Sequence, residues 1–157
     1  MAWYLASPLV IRTYTSEALP SPASVDASGG LGSTTGLRNV ATATVGPRIV
    51  RSGELNFVDA IHNGKGPVRI VEVGGQRLVR FEDVAITNAP DVHVYLSRET
   101  GGGWDEGTSF YLGALKATNG SFNYELPATV DVASYKSVVV WCRAFRVLIT
   151  WADLQAR

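Results

Sequence analysis

Cysteine occurs once in the 157 residues, at Cys142, and histidine only at His62 and His93. A single cysteine excludes an internal disulfide, a Cys-x-x-Cys redox pair, a cysteine-rich zinc site and the Cys-x-x-Cys-His haem-attachment sequence. Net charge is missing too: 14 basic residues balance 14 acidic ones, with no run of like charges. A nucleic-acid binder carries a basic excess or stripe, so that class is excluded. A charged patch for polyanions or lipid headgroups is excluded on the same ground. Long hydrophobic runs are also absent. The apolar opening Met1–Ile11 falls short of the roughly 20 residues a spanning helix needs, and no basic segment precedes it to make a signal peptide.

What is present divides the chain into three parts. In the opening, Trp3 and Tyr4 followed by Ser7-Pro8 have the pattern of the outer end of a membrane helix at headgroup level. Residues 1–15 are read either as the remnant of an N-terminal membrane anchor whose start lies upstream, or as an apolar tail. Residues 16–50 read as a flexible linker. From Ser16 to Gly46 the chain is rich in Ser, Pro, Ala, Gly and Thr and contains no aromatic residue. Such a segment buries too little apolar surface to offset its ordering entropy. An edge strand within Ala41–Arg51 is an open alternative.

Residues 53–157 read as an all-β domain, an antiparallel sandwich or barrel. Val68–Val73 and Gln76–Phe81 flank Gly74-Gly75, a two-residue hairpin signal. Val92–Leu96 alternates, with Val92, Val94 and Leu96 on one face and His93 and Tyr95 on the other. Ser121–Leu126 alternates after Asn119-Gly120, a second hairpin signal. Ser137–Cys142 is almost continuously apolar, as expected of a central strand buried on both faces. Phe145–Trp151 reads as the next strand, and Asp131–Tyr135 as one turn of helix.

These residues resemble the DM-thirteen domain family, the Skeletor-type "electron transfer" domain. The likeness runs through Gly53, Phe57, His62 and Gly66, then Leu78–Phe81 and Ala89-Pro90-Asp91-Val92-His93-Val94-Tyr95-Leu96. It continues through Leu112-Gly113, Gly120 and Tyr124-x-Leu126-Pro127 to Tyr135-x-Ser137-Val138-Val139-Val140-Trp141-Cys142-x-x-Phe145. It covers the whole β domain and none of the linker. The resemblance implies a β-rich, extracytoplasmic domain that accompanies membrane redox modules. It also implies that Cys142 acts in electron transfer, as a bare thiol or as a ligand to a prosthetic group such as haem. Bacterial members carry an N-terminal membrane helix ending in Ser-Pro-Leu, as Ser7-Pro8-Leu9 does here. Ala89 stands where the family has Gly before Pro90-Asp91. If that position needs positive φ, the turn differs here.

Each candidate has a structural reading beside the chemical one. Arg143 and Arg146 could activate the Cys142 thiol. Yet an extended strand turns Cys142 to the side of Val138 and Val140, where a small buried hydrophobe is inert. Asp91 lies on the same side as His93 and could orient it as a ligand. A Cys142–His93 pair on haem is chemically sound, whereas a surface His is the plain alternative. His62 sits in a turn sequence. Pro90-Asp91 sets a turn. Trp141 is expected to fill the half of the sandwich core opposite Cys142, and Trp104 is either a loop anchor or an exposed contact. Tyr124, Pro127 and Phe145 are framework positions.

Two functions follow. One is an electron-transfer module with Cys142 at its centre and a membrane or extracellular redox partner. The other is a non-catalytic sandwich for adhesion or assembly, with a silent cysteine. A stand-alone enzyme is not expected, since neither a Ser-His-Asp arrangement nor a carboxylate pair is evident.

Overall fold

A computed structural model describes residues 12–21 and 46–157. Met1–Ile11 and most of the expected linker lie outside them. Eleven strands are described: β1 (Tyr14–Ser16), β2 (Arg48–Glu54), β3 (Gly64–Lys65), β4 (Pro67–Val73), β5 (Gln76–Ile86), β6 (Val92–Ser97), β7 (Phe110–Ala114), β8 (Asn119–Leu126), β9 (Ser137–Cys142), β10 (Val147–Asp153) and β11 (Gln155–Ala156). One sheet runs β1-β8-β5-β4-β2-β11, with β3 on β5; the other runs β10-β9-β6-β7. Among the described residues only the β1–β8 pairing is parallel. Among the described residues no helix is long and apolar enough to cross a membrane.

The alternation read from the sequence builds the sandwich. Val68, Ile70, Val79, Phe81 and Phe122 of the first sheet meet Val92, Val94, Leu96, Val138, Val140 and Cys142 of the second in one core. Burying each such aliphatic side chain is worth roughly 1.5–3 kcal/mol. Between β4 and β5, Gly74 and Gly75 both take positive φ, at 57° and 79°, which a tight two-residue hairpin demands. The central strand β9 is buried along almost its whole length. Asp131 caps a single 3₁₀ turn at Val132–Ser134, its carboxylate accepting from the Ala133 amide at 3.1 Å.

Four expectations are corrected. Asn119-Gly120 is not a hairpin turn but the start of β8. A Cβ at Gly120 would stand 2.0 Å from the Thr15 carbonyl oxygen, so glycine is there to admit β1. The edge strand left open within Ala41–Arg51 runs instead from Arg48 to Glu54, paired with β4 along its length and with the short β11 at Arg51 and Ser52. Phe145 precedes the last long strand, in the turn before Val147. The stretch expected to be linker has sheet at both ends. Thr13–Glu17 docks on β8, with Thr13 and Thr118 exchanging hydrogen bonds of 2.9 and 3.0 Å, and β2 begins at Arg48.

Candidate functional site

β6 positions the site. Its inward residues lie in the core, and its outward residues, His93 and Tyr95, lie across β9 from Trp141 and Val139. On the β7 side the pairing shifts by one residue between Val94 and Tyr95, so that Tyr95 faces Tyr111 rather than Leu112. A one-residue slip moves a side chain to the opposite face. The bulge therefore delivers Tyr111 to the outer face and returns Leu112 to the core.

The outer face is covered by the segment between β6 and β7. Trp104 packs on Tyr95 and Trp141, with ring centroids 4.5 and 5.0 Å apart, and Tyr95 lies 5.3 Å from Tyr111. Trp104 is thus a loop anchor. Trp141 lies beneath it and does not fill the sandwich interior, because strand alternation gives that side to Cys142. Gly102, at φ 81°, lies so close to Leu148 and Trp151 that a Cβ would meet the Leu148 side chain at 2.6 Å. Arg143 closes the margin. Its guanidinium stands 4.9 Å above the Tyr111 ring and 5.7 Å above that of Tyr95, a cation–π arrangement, and its Nε donates to the Tyr95 hydroxyl at 2.7 Å. That bond raises the pKa of Arg143. Burial raises that of Tyr95 against the opposing pull of Arg143.

His93 is almost wholly buried. Its Nε2 is 2.6 Å from Asp91 Oδ1 and its Nδ1 is 2.9 Å from the Tyr111 hydroxyl. Asp91 is held for this by its turn. Pro90 and Asp91 form the turn, and the positive φ falls on Asp91, at 61°, not on Ala89. The Ala89 position therefore needs no glycine. Asp is among the residues that tolerate this conformation.

Cys142 lies on the other side of the same sheet. It is fully buried, and its Sγ donates to the Pro90 carbonyl oxygen at 2.8 Å. Cys142 pairs with Val92, whereas His93 pairs with Trp141, so the two side chains face opposite ways. Haem ligation by Cys142 does not fit this arrangement: Sγ points into the core beside Val138 and Val140, and no histidine shares its side. Among the described residues no three His, Cys, Asp or Glu side chains converge to hold a metal ion.

A family model described as Electron transfer DM13 matches residues 56–154. The chain belongs to the electron transfer DM13 family. No curated protein and no solved structure matches it.

Of the other expected positions in this DM13 domain, Tyr124 and Pro127 serve the framework, whereas Phe145 is not packed into it. The Tyr124 hydroxyl donates to Ala114 O at 2.8 Å, and its ring packs edge-on to Phe81 and Phe122. Burial raises its pKa strongly. Pro127 O accepts from the Val130 amide at 3.0 Å, closing a turn. Phe145 is 59% exposed at the tip of the β9–β10 hairpin. His62 binds Asp59 within its own turn, Nδ1 to Oδ2 at 2.8 Å. The hydrogen bonds from His62 hold the Asp59 carboxyl down at about 2. Sequence reasoning missed Tyr111 and the placement of Arg143. The signal for Tyr111 is a bulge, which leaves no mark in the alternation.

Proposed function

We propose that this DM13 domain is an electron-transfer module held outside the cytoplasm by a membrane tether at its N-terminus, with Cys142 as its sulfur centre and the outer aromatic face as the route to it. One observation carries the reading. The rings of Tyr111, Tyr95, Trp104 and Trp141 follow one another at 5.3, 4.5 and 5.0 Å and end one residue from Cys142. Tyrosine and tryptophan are readily oxidised by one electron, and rings in near contact pass an electron in short hops. A membrane or extracellular redox partner would dock at this face. Cys142 gives up its electron through Trp141 together with its thiol proton. The thiol proton leaves to water only when the Pro90–Asp91 turn lifts from Sγ, because a carbonyl oxygen is no base. The apolar Met1–Ile11 segment supports the tether.

A second reading, a non-catalytic sandwich for adhesion or assembly, is favoured by the burial and hydrogen bonding of the same thiol. An anaerobic redox titration of the folded full chain separates the two. Reversible loss and return of electrons, altered in Cys142→Ser, is the expected result. A folded protein that neither gives nor takes electrons leaves the adhesive reading standing. Protease accessibility of the domain in intact cells checks the tether.

A further inference from the structure

We propose that Tyr111, His93 and Asp91 form a site for proton-coupled one-electron oxidation, in which Tyr111 gives its electron to a high-potential metal centre of a partner and its proton to His93. The site goes beyond the reading centred on Cys142 and operates without the thiol.

The geometry dictates the direction of proton flow. A carboxylate can only accept, so His93 Nε2 carries the proton shared with Asp91 Oδ1, at 2.6 Å. In the neutral ring Nδ1 is then the acceptor, and the Tyr111 hydroxyl donates to it at 2.9 Å. Asp91 thus acts as a positioning residue that fixes the tautomer. On oxidation one electron leaves the Tyr111 ring for the metal centre, which is reduced by one. The tyrosine O–H bond breaks, and an N–H bond forms at Nδ1. The products are a neutral phenoxyl radical and an imidazolium whose charge is paired with Asp91. Return of one electron reverses both transfers.

Neither Tyr95 of the same face nor Tyr124 of the core has such a base. The Tyr95 hydroxyl accepts from Arg143, and that of Tyr124 donates to a backbone carbonyl. Tyr111 is also reachable, at 46% exposure, whereas His93 is shielded. The Arg143 guanidinium over the Tyr111 ring opposes loss of an electron and so raises the potential of the site. On the far side of His93, a cleft of about 310 Å³ lined by Asp91, His93, Lys116 and Thr13 gives water access to the carboxylate.

The test is outer-sphere oxidation of the full chain with hexachloroiridate(IV), followed by stopped flow and by EPR of freeze-quenched samples. A tyrosyl signal is expected in the wild type and in Cys142→Ser, formed more slowly in D2O than in H2O. Tyr111→Phe should remove it. His93→Gln should slow its formation by roughly 10²-fold, the scale of a lost general base, and erase the D2O effect. Asp91→Asn keeps a residue tolerant of positive φ and should slow formation less. Circular dichroism establishes that each variant is folded. An unchanged signal in Tyr111→Phe overturns the proposal. So does a wild-type rate with an intact D2O effect in folded His93→Gln and Asp91→Asn, or loss of the signal in Cys142→Ser.

Discussion

The Cys142 thiol donates to the Pro90 carbonyl oxygen at 2.8 Å, and the next amide, that of Arg143, donates to the Asp91 carbonyl at 3.0 Å. The end of β9 therefore grips the turn from which Asp91 reaches His93. Core packing on one side of the sheet and polar geometry on the other are set by the same short contact.

Cys142→Ala should cost about 1–2 kcal/mol in denaturant unfolding, the scale of a buried hydrogen bond left half-made. In the native wild type, Cys142 should react with a thiol reagent only as fast as the Pro90–Asp91 turn opens. A reaction at the rate of free cysteine would contradict the burial seen here.

Trp104→Ala should cost roughly 2–3 kcal/mol, below the 3–5 of a fully buried tryptophan, because Trp104 is only half-buried. With its cover removed, Trp141 becomes solvated. Tryptophan emission of the folded variant should move to longer wavelength, and an unmoved spectrum would mean that the loop does not shield this face.

Gly120→Ala places a Cβ against the Thr15 backbone in a conformation, φ 105°, that alanine resists. β1 should detach while the rest of the sandwich persists. Hydrogen exchange at the Glu17 and Asn119 amides, which donate to Ser121 O and Thr13 O, should accelerate while exchange in β9 stays slow.

Acid should loosen the same strand. Burial raises the Glu17 pKa, but the Asn123 amide and the Lys116 ammonium outweigh it, and the carboxyl sits below its ordinary 4.5. A group depressed on folding contributes stability that is fully present above its unfolded value and is lost as pH falls through the folded one. β1 protection should therefore be constant near neutrality and decline below about pH 4.5. Glu17→Gln should flatten that decline, and an unchanged acid profile would remove Glu17 from the account.

Much of the fold was legible because strand alternation is a local signal. Sequence alone puts Val92, Val94 and Leu96 on one apolar face, Gly74-Gly75 at a hairpin and Ser137–Cys142 in a central strand. The Asp91–His93 contact was legible for the same reason, since residues two apart on a strand share a side. Tyr111 was not, because a bulge reverses its side, and Trp141 was misplaced because alternation cannot say whether the second side of a buried strand meets another sheet or a loop. Gly120 read as a turn for want of any hint that Thr15, far away in sequence, would approach its Cα. The strand at Tyr14–Ser16 was hidden in the same way: its partner supplies what its own composition lacks.

β1 and β8 are far apart along the chain, Thr13 and Thr118 being separated by 105 positions. The strand therefore sits on the sheet much as a short peptide sits on the open edge of a peptide-binding domain. The covalent link between β1 and the rest of the domain holds the strand at a high local concentration. Cutting it would turn β1 into a ligand with a dissociation constant of its own, and a synthetic peptide spanning 12–21 would compete for the vacated groove. In that sense the domain carries an occupied receptor, and the strand that fills it is replaceable.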